Sequence, residues 1–486
     1  NSIELGGGAN NVKIGAVSGK GTAGLRLDLS ASGLEQNVTF GSSVNYLTYA
    51  GSAGDDILTL LGALSNSSLE LDEGSNSLTA QNAKGVLQTV SNTNITALGQ
   101  GTNTITAGAY KTGAAGNTIA LGEGANTVNL TSIAGKGDKG LELVMASTAD
   151  DQQLNVSGSV SKLTYSGGAG DDSISIGGSV LNSQFELGEG ANSFSAVGAK
   201  SSVIDTMINA GENSANTIDI LTFTSSAKGN GFITLGAGSD AVTIHTLKGK
   251  TSLDMGQGDN DVFTATSVDG AKITGLGEGA YTVTTVKNAR FDFSANTRDI
   301  RLDILTAMVN SKVDLGAGNA RIGSSEDDAR TDITSSKIKS GTGNLTMDIR
   351  NLTSSTVVMD ASDESDPALL DLTMSGALGK SYIALGHGAN TITAGTIAQS
   401  AVTRLKEGSL TLNSGNISSG QFDLSGEGSD TLNINGSLNA EIYLGGGADN
   451  ITVSGAMSGI LKSEADLTLT SESLSNLNAG LTGANN

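Results

Sequence analysis

The stretch LGEGANTV, Leu121 to Val128, decides the fold, because variants of it recur along the whole chain. They read LGGGANNV from Leu5, LDEGSNSL from Leu71, LGQGTNTI from Leu98, LGEGANSF from Leu187, LGAGSDAV from Leu235, MGQGDNDV from Met255, LGEGAYTV from Leu276, LGAGNARI from Leu315, LGHGANTI from Leu385 and LGGGADNI from Leu444. In every copy the second glycine is kept, and the residue four places after it is Val, Ile, Leu or Phe. Leu235, Met255 and Leu276 follow one another at 20 and 21 residues, and Leu98 precedes Leu121 by 23. Self-similarity at such a period is the mark of a repeat architecture.

Around each glycine turn the sequence alternates, as in TNTITA at 102 to 107 and DAVTIH at 240 to 245, which is the period-two signal of a short strand. Short strands at a fixed spacing, joined by Gly-Asn turns, predict an all-β, elongated parallel β-solenoid with about 20 to 23 residues per coil. At roughly 4.8 Å per coil, about 22 coils would build a rod on the order of 100 Å long. The second glycine is expected to supply positive φ, the Asn or Asp two places on to bond within the turn, and the aliphatic residue to point inward.

A longer period overlies the short one. Residues 1 to about 86 match 117 to about 202 at an offset of 116, so that Leu5 answers to Leu121, Tyr49 to Tyr165 and Asp56 to Asp172. The organisation read from this is block A at 1–116, a duplicated block B at 117–232, regular coils at 233–285, irregular charged coils or loops at 286–370, regular coils at 371–455, and a C-terminal cap or tail at 456–486. The irregular part holds SSEDDARTD at 324 to 332 and the single proline, Pro367.

Composition narrows the function. Glycine is 68 of 486 residues while proline occurs once, which excludes collagen. With 27 basic against 49 acidic residues, the formal charge of -22 makes nucleic acid an improbable partner, and an anionic membrane surface likewise. Cysteine is absent, so disulfides and thiolate metal sites do not arise. No apolar run approaches a membrane span, and the chain, which has no starting Met, reads as a mature or excised portion of a longer product.

GGAGDDSIS at 167 to 175 fills the pattern GGxGxDxUx, and GSAGDDILT at 51 to 59 misses only the second glycine. The chain thus resembles the hemolysin-type, or RTX, glycine-rich repeats of secreted bacterial surface proteins. The resemblance implies Ca²⁺ held between stacked turns, with Asp56, Asp172, Asp240, Asp430 and Asp449 at the ligand position. Here, however, one motif occurs per coil instead of every nine residues, and the ligand position is more often Asn: Asn10, Asn76, Asn103, Asn126, Asn192, Asn260 and Asn390. Those Asn copies read as a hydrogen-bonded turn ladder, and Asp56 and Asp172 leave both readings open.

No enzyme is expected. Asp327, Asp328, Arg330 and Asp332 are the only clustered acid and base, and the two histidines, His245 and His387, stand far apart. The expected role is structural and extracellular: a rigid solenoid of a bacterial surface layer, filament or large adhesin that associates with its own copies. The alternative is a ligand- or carbohydrate-binding adhesin module, with its recognition surface for cell-surface glycans in 286–370; a polysaccharide lyase ranks third.

Overall fold

In the computed structural model the chain folds as an all-β parallel solenoid of about 23 coils, without a helix among the described residues. The structure describes residues 1–20, 24–145, 149–227, 229, 231–323, 331–359, 368–404 and 407–482. It divides into two units, Asn1–Asp254 and Met255–Asn486. Each is built of coils with three strand segments, and each segment pairs in parallel with its counterparts one coil before and after.

In the first unit the strand after the glycine turn stacks Val38, Leu58, Leu78, Ile105, Val128 and Leu154 in one register column, all essentially inaccessible. The strand that completes the coil stacks Leu27, Tyr49, Leu69, Ile95, Ile119 and Leu143 against it. The second unit repeats the plan, with Met347, Leu372, Ile392, Leu412 and Leu432 facing Val357, Ile383, Val402 and Phe422. Alternation along each strand thus delivers one or more aliphatic or aromatic side chains per segment to the core, as with Val38 and Phe40 or Leu58 and Leu60, each worth about 1.5–3 kcal/mol on burial.

Two corners turn the chain. At one, the second and third strand segments are joined by a single residue in the left-handed region, which is Asn66 at φ 50°, Asn92 at 47°, Asn182 at 49° and Asn310 at 47° in successive examples. The next residue is a buried Ser or Thr whose hydroxyl accepts the backbone N–H of the preceding coil. Ser336 N–H reaches Ser355 Oγ at 3.1 Å, Ser355 N–H reaches Ser381 Oγ at 3.2 Å, and Ser381 N–H reaches Ser400 Oγ at 3.2 Å.

The other corner is the glycine turn, where the expected role of the second glycine holds only in part. Gly74 has φ 89°, but Gly101 is not left-handed; a Cβ there would collide with the carbonyl of Gly74 in the coil beneath. Close stacking, as much as backbone freedom, demands glycine. The inward aliphatic residue also fails once, because Asn260 takes φ 68° and shifts the frame by one, leaving Val262 46% exposed and burying Asp261 instead.

Strands continue through 286–370 wherever it is described, from Arg290–Asp292 to Thr356–Val358. Pro367 and most of SSEDDARTD lie outside the described residues. Toward the C-terminus, Asp466–Leu481 pairs in parallel with Ala448–Ser463.

Candidate functional site

The Asn or Asp of each motif comes directly after the glycine turn, and because the next strand begins there its side chain turns into the coil. In the first unit these side chains form a column. The N–H of Asn103 donates to Asn126 Oδ1 at 3.0 Å, and its Nδ2 donates to the same oxygen at 2.8 Å. Asn126 addresses Gln152 Oε1 in the same way, at 3.2 and 2.9 Å. The amide also turns back to its own turn, from Asn103 to Gly101 O at 3.0 Å and from Asn126 to Gly124 O at 2.9 Å. One Asn per coil therefore satisfies both the backbone of its own turn and that of the coil before.

All five Asp positions are buried in such columns. Asp56 accepts Ser52 N–H at 3.0 Å and Ser52 Oγ–H at 3.1 Å, while its own N–H donates to Asn76 Oδ1 at 2.9 Å. Asp172 accepts Tyr165 Oη–H at 3.0 Å and Gln152 N–H at 3.0 Å. Asp240 accepts both the N–H and the amide of Asn216, at 2.7 and 2.9 Å.

Burial disfavours the charged form and outweighs these donors, pushing Asp56 up to about 7 and Asp172 to about 6. It raises Asp240 as well.

In the second unit Asp430 and Asp449 occupy adjacent coils, with Asp430 N–H on Asp449 Oδ1 at 2.9 Å. Asp449 is pushed up to about 6, again by burial. Asp430 is met by Arg404, which is itself 2% exposed. The guanidinium pairs with both carboxylate oxygens, at 2.6 and 3.0 Å, and gives a further hydrogen bond to Gly408 O at 2.8 Å.

Calcium takes six to eight oxygen ligands. What converges on Asp56, Asp172 and Asp430 is instead N–H and O–H donors or a guanidinium, and no group of three or more acidic or histidine side chains forms among the described residues. Those three carboxylates are thus answered by protein donors without an ion.

Several ladder members carry no motif glycine and escaped the sequence reading: Gln36, Gln152 and Asn216. Gln152 lies 116 residues after Gln36, so the duplication was the available signal. Arg404 was missed too, although it stands in the register column of Leu385 and Leu424. There the degenerate copy RLKEGSL replaces the motif Leu by Arg and the motif Asn by Leu410.

Of the suggested acid-base cluster, Asp327, Asp328 and Arg330 fall outside the described residues. Asp332 is engaged by Arg350 Nε at 2.8 Å and Asn351 Nδ2 at 2.8 Å. His245 is exposed in the first unit and His387 buried in the second. A groove in the second unit is lined by Ala280, Asp299, Arg301, Arg321 and Asp348 among others. There Arg301 stacks over Arg321, and the ladder position carries Gly279, Ile300, Ala320 and Leu345 in place of Asn.

No family model, curated protein or solved structure matches this chain.

Proposed function

We propose that the chain is an extracellular structural protein, a β-solenoid building block of a bacterial surface layer, filament or large adhesin, acting without turnover. The observation that carries this reading is the interchangeability of the coils. Coil after coil presents the same apolar columns to its neighbours, and outside the stretch from Gly279 to Leu345 most add a polar ladder residue, so added coils extend the stack without disturbing a centre elsewhere. The RTX-like stretches at 51 to 59 and 167 to 175 support export from the cell. Self-association of copies is part of the proposal.

A carbohydrate-binding module is the second reading, favoured by the ordered groove around Arg301 and Arg321. Calcium has no part in the leading one. Light scattering and thermal unfolding of the full chain, each with saturating Ca²⁺ and with a chelator, test these together. The expected result is large particles and one unfolding midpoint in both solutions. A monomer under all conditions overturns the lattice reading, and a midpoint raised many degrees by Ca²⁺ would restore Asp56 and Asp172 as ligands. Glycan binding abolished by Arg301→Ala would favour the second reading.

A further inference from the structure

In the second unit the strand after the glycine turn directs two side chains outward in each coil, on either side of one that points inward. Over five consecutive coils these triplets read TIT from 391, TLN from 411, TLN from 431, NIT from 450 and TLT from 468. Parallel pairing sets the outward residues in two ranks, Thr391, Thr411 and Thr431 leading one and Thr393, Asn413 and Asn433 the other, with no register shift within either. All ten are exposed or half-exposed, while Ile392, Leu412, Leu432 and Ile451 beneath them are wholly buried.

No member of either rank is charged, on a chain of formal charge -22. The closing strands of the same coils do carry charge on their outer side, as at Asp423 and Glu441. The second rank borders a groove whose far wall, Gly415, Asn435 and Ser454, is uncharged as well. The threonine hydroxyls of both ranks have no hydrogen-bond partner among the described residues, unlike the corner serines, whose hydroxyls each accept a backbone N–H. They are left to the solvent.

The first unit repeats the pattern. Its second rank is Thr, Ser or Asn in every coil from Thr39 to Ser195. Between the duplicated blocks Thr39 answers to Asn155, Thr59 to Ser175 and Thr79 to Ser195, so a short uncharged hydrogen-bonding group is kept. On the closing strand Arg26 answers to Glu142 and Asp28 to Val144, and nothing of the kind is kept.

We propose that this two-rank face binds ice. Strand pairing fixes a grid of about 4.8 Å from coil to coil and about 6.6 Å from rank to rank, close to the oxygen repeats on a face of hexagonal ice. Branching holds each threonine at χ1. A hydroxyl supplies one donor and two acceptors, and a carboxamide two of each, so either can replace a lattice water, while the threonine methyls order the water shell between them. The face is rigid before it meets the crystal, which spares the cost of ordering it. An ionic ligand finds no charge here, and a sugar finds no aromatic ring to stack on. The inference is independent of the self-assembling role proposed above.

The test uses the full chain, fluorescently labelled, in slowly grown ice, together with the gap between the melting point and the temperature at which a seed crystal grows. The expected result is that the unaltered chain is carried into the ice and opens such a gap. Thr411→Lys combined with Thr431→Lys is excluded from the ice and loses the gap, whereas Ala401→Lys combined with Gln421→Lys, on the closing strands of the same coils, keeps both. Unfolding midpoints show that the variants fold. Thr411→Tyr, a residue that strands favour but that stands above the grid, serves if the paired lysines do not, and should lose the gap likewise.

An unaltered chain excluded from ice, without a gap, overturns the inference and leaves the structural role standing. Rank variants as active as the parent, or folded closing-strand variants that lose the effect equally, overturn it too. Retention on crystalline cellulose or chitin that the rank variants lose, with no effect on ice, overturns it and assigns the face to a polysaccharide lattice.

Discussion

Asp56 occupies the place that Asn76 fills in the next coil, and the difference between the two is one charge and one donor. Asn76 Nδ2 reaches Gly74 O at 3.2 Å, a bond that a carboxylate cannot make. Protonation restores a donor to Asp56 at the cost of a raised pKa. With a folded value of about 7 against the ordinary 3.8, the native state binds more protons than the unfolded chain across that interval. The burden on stability is absent below about pH 4, grows as the pH rises, and is complete above about pH 7. Asp172 and Asp449, at about 6, add to it over a narrower window.

The unfolding midpoint should therefore rise as the pH falls from about 8 to about 5. Asp56→Asn should stabilise the chain at about pH 8 by on the order of 2 kcal/mol and flatten this dependence; a variant less stable than the parent at that pH would contradict the account. Arg404 shows the opposite solution, a partner in place of a proton. Arg404→Met should cost roughly 3–5 kcal/mol by stranding a buried carboxylate, and adding Asp430→Asn should recover most of that in denaturant unfolding. Asp56, Asp172, Asp240, Asp430 and Asp449 were legible because each comes just after a glycine turn, whereas Asp261, one place further on, was not. Arg404 was not, because its copy of the motif had lost both the Leu and the Asn by which copies are recognised.

At the scale of the element, the corner with the left-handed residue was the larger omission. Its signature stands in the sequence as plainly as the glycine turn: NSSL at 66, NTNI at 92, NSQF at 182, NSKV at 310, SSTV at 354 and KSYI at 380. Each pairs a residue held at positive φ with a hydroxyl residue, then an inward aliphatic or aromatic two places on. Serine and threonine are common enough to hide such a column, whereas glycine was not.

Asn310 tests the corner. It holds φ 47° and donates to Asn288 Oδ1 at 2.7 Å. Asn310→Val should cost about 1–2 kcal/mol or more, since a β-branched residue resists that conformation, while Asn310→Gly keeps the backbone and loses less. Equal losses in urea unfolding would show that conformation is not what the corner selects. Elements also explain why Asn260 and Val262 were misread: the frame slips within one turn, and a linear motif has no means of registering a residue that bulges outward.

For the whole molecule, period and alternation sufficed to read the solenoid, since every coil is held to the same register by its neighbours. They did not reveal the division between Asp254 and Met255, which falls amid motif copies spaced 20 and 21 residues apart with no shift in composition. Nor could a linear reading bring Lys272 and Lys337 together, 65 positions apart yet three coils from one another. The internal columns carry one more consequence. In both the Asn and the Ser columns the backbone N–H of one coil is answered by a side-chain oxygen of the next, as from Asn103 to Asn126 and from Ser336 to Ser355. These links point the same way along the chain, so each such coil is completed by its successor and not by its predecessor. These two columns thus have a direction: at a last coil their N–H donors lose the side-chain oxygen that answers them, while at a first coil they lose only the N–H that the side-chain oxygen accepts.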